Sequence, residues 1–251
     1  MFRSWFRFLL GLLGQHNQPS LSLANPAVST KRVKIGSLVE RLILAGVHNE
    51  AVSPNEEFGM TADDYTKLWP EEVEVPAGVE FDYVILVDGT VSSDYLVNAT
   101  GLFTESSLKK PGDYIDLLPC PNDECGQPLK RYVAFVTTER WLGKSFSDVV
   151  NRLRGRQEGL VLDELFYFHL CNPDFVERTF GPAVKPPYDV NKITANIAAL
   201  ASRSRIDNFS IPSLGRNRIS GERKLVLTNL QDVGNVPWAC PAVRTHIIPV
   251  S

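Results

Sequence analysis

The sequence lacks the features that most quickly assign a chain to a class. Its 251 residues carry 26 Lys and Arg against 29 Asp and Glu, a net charge of −3, so no overall excess marks it as a nucleic-acid binder or an acidic protein. Four cysteines, Cys120, Cys125, Cys171 and Cys240, are far too sparse for a disulfide-stapled scaffold. Four histidines, His16, His48, His169 and His246, assemble no complete catalytic constellation with their sequence neighbours. There is no internal repeat. With 43% hydrophobic and 22% charged residues, the composition excludes a disordered, collagenous or polytopic membrane chain. What remains is a globular protein long enough for one large core.

The first fourteen residues, MFRSWFRFLLGLLG, differ from all that follow. Phe2, Trp5, Phe6, Leu9 and Leu13 fall on one helical face, Arg3 and Arg7 on another, and no acid interrupts them. A helix of this length spans about 21 Å, short of the ~30 Å hydrocarbon core. Peripheral membrane contact through residues 2–13 is one expectation, with the arginines toward anionic head groups. A helix packed on the protein body, or a frayed tail, is another. Ser22-Leu23-Ala24 has the small residues of a leader cleavage site, but a polar stretch precedes it. Residues 15–30 read as a linker. The expected organisation is therefore an apolar helix over 1–14, a linker over 15–30 and a single domain over 31–251. The expected location is cytoplasmic with membrane association in reserve, and export is the alternative.

Local patterns in the body point to an α+β fold, with a mixed or antiparallel sheet around a helical middle section. A helix is expected from Gly36, capped by Ser37, and another after the capping sequence Thr61-Ala62-Asp63-Asp64. Glu72–Pro76 reads as an edge strand. Tyr83–Val87 is the clearest buried strand, closed by Asp88-Gly89, and Tyr132–Thr137 is a second. Tyr95–Val97 and Tyr114–Leu118 read as shorter strands. Ser145 and Asp148 cap a helix over Phe146–Leu153, and Leu160–Leu170 forms the next, ended by Asn172-Pro173. Ile193–Ser202, rich in alanine, reads as a small helix. Lys224–Leu230 and Val243–Ile248 return to strands.

Chemistry is thinly marked. Gly143-Lys144-Ser145 follows a strand and opens a helix, the setting of a phosphate-binding loop. That loop also needs glycine where Thr138 stands, and Trp141 and Leu142 fill the space its backbone would wrap. The motif is incomplete, leaving Gly143, Lys144 and Ser145 as a candidate anion site. In the helix LVLDELFYFHLCN, Glu164, Phe168 and Cys171 share a face with Tyr167 beside them, whereas His169 lies about 140° from Glu164. His169 and Cys171, about 200° apart, cannot ligate one metal from an intact helix. Lys144 and Glu164 are the catalytic candidates. Cys120 and Cys125 have a gap of four rather than the usual two and no second pair, so no metal is expected.

Charge is distributed unevenly although its sum is small. Glu50 to Asp94 holds twelve acids against Lys67 alone, while Arg203, Arg205, Arg216, Arg218, Arg223 and Lys224 crowd a later segment read as a surface loop. With Phe209 as its lone aromatic, that segment has little to stack bases on, and nucleic acid is the less favoured partner. The reading favoured by sequence is a non-enzymatic protein that binds another protein or macromolecule through charged surfaces, without a cofactor. The alternative is an enzyme for a phosphorylated or anionic small molecule, using the site at Gly143-Lys144-Ser145.

Overall fold

A computed structural model describes residues 30–102, 110–118, 121–122, 126–153, 157–175, 196–207, 210–219, 222–230 and 239–250. In chain order the elements are β1 (Lys31–Lys34), α1 (Gly36–Leu44), α2 (Ala62–Lys67), β2 (Glu72–Val75), β3 (Tyr83–Asp88), α3 (Ser93–Ala99), β4 (Tyr114–Asp116) and β5 (Arg131–Thr137). There follow α4 (Phe146–Arg152), β6 (Glu158–Gly159), α5 (Leu162–Cys171), β7 (Asn196–Ala199), β8 (Ser202–Ser204), β9 (Ile211–Ile219), β10 (Glu222–Leu230) and β11 (Ala239–Val250). The expected N-terminal helix and most of the linker lie outside the described residues, as do Cys120 and Cys125.

The fold is α+β, built on a seven-stranded sheet that curls as a half-barrel. Its order is β10-β9-β7-β11-β5-β3, with β6 also pairing β11. All pairs are antiparallel except β7 with β11. Two short ladders, β1–β2 and β4–β8, stand beside it. Helix α5 packs on both β3 and β7, and nine of its ten residues are buried.

Helix α5 also finishes the sheet. Among the described residues, strand β3 pairs on one side only, with β5. The backbone groups of Val84, Leu86 and Asp88 instead meet the end of α5. The Asn172 amide donates to the Val84 carbonyl at 3.1 Å, Leu86 N–H donates to Cys171 Sγ at 3.5 Å, and the Tyr167 hydroxyl donates to the Asp88 carbonyl at 2.7 Å. An open edge that would invite another strand is thus satisfied from within. Tyr167 and Cys171 in α5, and Asn172 just after it, have this local role.

Caps written in the sequence form as expected in two helices. Thr61 Oγ1 accepts from Asp64 N–H at 3.1 Å, and Ser145 Oγ accepts from Asp148 N–H at 3.1 Å. Helix α1 differs slightly, starting after Ile35 with no side-chain cap rather than from Ser37. Three expectations fail. Tyr95–Val97 is helical, within α3, because the Ser92 hydroxyl accepts from Tyr95 N–H and starts a turn there. The alanine-rich stretch is strand β7, not a helix. It pairs with β9 on one side and β11 on the other, and that pairing overrides the helix propensity of its alanines; just beyond it, a Cβ on Gly159 of β6 would lie 2.4 Å from Leu200 Cβ. The basic segment is no loop: β9 and β10 pair over nine residues, with Arg218 opposite Arg223.

Candidate functional site

Four segments distant in sequence enclose a cavity of about 480 Å³. The first turn of α3 brings Ser92, Ser93 and Asp94. Strand β4, with the turn before it, brings Pro111, Gly112, Tyr114, Ile115 and Asp116. The start of α5 brings Leu162 and Asp163, and the end of β8 leads into Arg205.

Local bonds fix each wall. Strand β4 is registered on β8, Tyr114 opposite Ser204 and Asp116 opposite Ser202. The Ser202 hydroxyl donates to Asp116 Oδ1 and accepts from Leu162 N–H at 2.9 Å, joining β4 to the first turn of α5. The Ser93 hydroxyl donates to Asp163 Oδ2 at 2.9 Å and joins α3 to the same turn. Arg205 donates from its backbone N–H to the Asp113 carbonyl at 2.7 Å and from Nε to the Tyr114 carbonyl at 3.1 Å. Asp94 makes no hydrogen bond or ion pair with another described residue.

Three carboxylates and one guanidinium therefore share one concavity. Burial pushes the Asp163 carboxyl up to about 6, the charges of Asp116 and Glu164 add to the shift, and the Ser93 hydrogen bond opposes it. Burial also raises the Tyr114 hydroxyl, with Asp113 and Asp207 adding. Protonation of Asp163 is thereby poised just below neutral pH. Among the described residues no group of three His, Cys, Asp or Glu has the geometry to hold a metal ion.

A second cavity, about 510 Å³, is lined by Lys31, Val79, Glu80, Phe81, Asp82, Thr137, Glu139 and Arg140. Most of its charge is already engaged. Arg140 pairs with Glu80 at 2.9 Å, Asp82 accepts from Thr138 and Glu139 N–H at 2.7 and 2.9 Å, and Lys31 Nζ sits 4.7 Å from the Phe81 ring centre. It is the weaker candidate.

The residues singled out by sequence scatter. Glu164 is 1% exposed, and both its oxygens are occupied: Oε1 accepts from the Tyr132 hydroxyl at 2.7 Å and from Arg244, Oε2 from Val161 N–H at 3.1 Å. Arg244 also pairs with Glu158. A register shift between Arg244 and His246 in β11 accompanies this placement. Lys144 is exposed, and neither it nor Glu164 lines either cavity. Gly143 has φ +70° and makes the turn before α4, whose Asp148 amide the Ser145 hydroxyl already takes. Arg203 folds back onto the Leu200 and Ser202 carbonyls. Arg216, Arg218, Arg223 and Lys224 lie on the β9–β10 backbone, with side chains outside the described set.

Of the sequence candidates among the described residues, only Arg205 reaches the cleft, whose lining it shares with Asp94 from the acidic stretch. Asp116 and Asp163 were not singled out in the sequence: Asp163 stands beside the chosen Glu164 and Asp116 near Asp113, and nothing local marks which acid lines a cleft. Helix α5 follows its expected geometry, and His169 is buried edge-on to Phe175, ring centres 5.7 Å apart.

No protein-family model matches this chain, and none of the curated proteins or solved structures is significantly similar to it. No helix among the described residues is long and apolar enough to cross a membrane.

Proposed function

We propose that the protein binds a small polar molecule bearing a positive charge in the cleft between α3, β4 and α5. One observation carries this reading: Asp94, Asp116 and Asp163 converge on a single cavity with only Arg205 to offset them. With all three acids ionised, the cleft holds a surplus of negative charge, and the half-buried Asp163 attracts a cation more strongly than a carboxylate on an open surface would. Its volume falls within the range of small-ligand sites, roughly 300–1,000 Å³. Calorimetric titration with 1,4-diaminobutane tests the reading. Binding is expected at pH 7.5 and to weaken on acidification through pH 6, as Asp163 takes up a proton. Asp116→Asn is expected to weaken it at every pH. Equal affinity for the diamine and for acetate would refute the reading.

A second reading, a macromolecular partner met through charge, draws on the acidic surface. Glu50, Glu56, Glu57, Asp63, Asp64, Glu71, Glu74 and Glu80 are exposed, and Phe58, 78% exposed, stands directly after Glu56 and Glu57. A basic protein surface would complement this face. Replacing Glu56 and Glu57 by lysine is expected to remove salt-sensitive retention on immobilised polylysine, and unchanged retention would count against it.

A further inference from the structure

The opposite charges of the cleft do not neutralise one another. Arg205 is anchored to β4 through its backbone amide and its Nε, and its terminal nitrogens have no partner among the described residues. No ion pair within 4.0 Å joins it to Asp94, Asp116 or Asp163. Asp116 commits one oxygen to Ser202, Asp163 commits one to Ser93, and Asp94 commits neither. The cleft therefore presents an open guanidinium fork and open carboxylate oxygens, held apart in one cavity.

These two ends ask for different groups. A guanidinium held at Nε offers its remaining N–H groups to a planar anion, and a carboxylate fits that fork with two parallel hydrogen bonds. Carboxylate oxygens facing it need a donor with several N–H groups and a positive charge, which an ammonium supplies. A simple cation would leave the guanidinium unpaired, and a simple anion would leave the three acids so. An uncharged polyol would leave both ends without a counter-charge.

We infer that the cleft takes a zwitterion of the amino-acid or short-peptide class, its ammonium among Asp94, Asp116 and Asp163 and its carboxylate on Arg205. The inference rests on the cation-binding reading above and adds the second point of attachment. Two attachment points also fix the ligand's direction, so a blocked end is not compensated by reversal.

Titration of the full chain with four probes tests it: L-alanyl-L-alanine, its methyl ester, its N-acetyl derivative and free L-alanine. The dipeptide is expected to bind about tenfold or more tightly than the ester, as loss of a charged hydrogen-bonded pair implies. The N-acetyl derivative is expected to bind weakest. Arg205→Gln is expected to remove the preference over the ester by weakening dipeptide binding, and Arg205→Lys to restore part of it. Arg205 is exposed, so the fold tolerates these changes; an unaltered circular dichroism spectrum checks that. Comparing alanine with the dipeptide identifies which member of the class fits. If the ester and dipeptide bind alike and Arg205→Gln changes neither, the zwitterion inference is overturned while cation binding stands. If the ester and 1,4-diaminobutane both fail to bind, the underlying reading fails with it.

Discussion

Arg244 lies between Glu164 and Glu158, buried on one side and half-open on the other. Removing it would leave the Glu164 carboxylate inside the protein with no cation, a situation that costs about 3–5 kcal/mol. Arg244→Met is therefore expected to lower the urea midpoint sharply, and adding Glu164→Gln to recover part of the loss. Asp163 behaves in the opposite sense. Its folded value of about 6 lies above the ordinary 3.8, so the fold favours the protonated acid. That contribution is complete below the unfolded value and is lost as the pH rises through 6. Asp163→Asn should then be more stable than the parent at pH 7.5, with the advantage shrinking toward pH 4. Thermal melts across that range measure it, and an advantage independent of pH would show that Asp163 does not titrate as described.

Among the elements, the bond set between α5 and β3 is the most exposed to a single change. Asn172→Leu removes the donor to the Val84 carbonyl and leaves that oxygen buried, at about 1–3 kcal/mol. Gly159→Ala forces a methyl against Leu200 and should cost about 1–3 kcal/mol by overpacking. Denaturant titration reads both. The same elements show what a linear sequence can carry. Strands β3 and β5, the caps at Thr61 and Ser145, and the span of α5 were legible because neighbours a few residues apart decide them. Helix α3 was not, since the Ser92 cap lies before a stretch whose Tyr, Leu and Val look strand-like. Strand β7 was not either, because its place between β9 and β11 is decided by strands far along the chain, and no local preference encodes such distant partners. The arginines of β9 and β10 hid a ladder set by register along two strands.

At the scale of the molecule, the candidate site illegible in sequence is the one drawn from four distant segments. Asp94, Asp116, Asp163 and Arg205 meet only when α3, β4, α5 and β8 are in place. The acidic and basic stretches were visible, but their meeting point was not. The N-terminal expectation keeps its own test. Co-sedimentation with anionic lipid vesicles should retain the full chain and not a chain beginning at Lys31; equal binding of the two removes the membrane reading.

Strand β11 lies in the middle of the sheet, although both of the strands it joins there, β5 and β7, precede it in the chain. It alone joins β5 to β7, and it supplies the partner of β6. While the protein is being synthesised, the edges of β5 and β7 that await it stay unpaired until Ala239–Val250 has left the ribosome. The half-barrel is therefore expected to close only once that segment is available, and until then the nascent chain passes through a stage in which aggregation competes with completion.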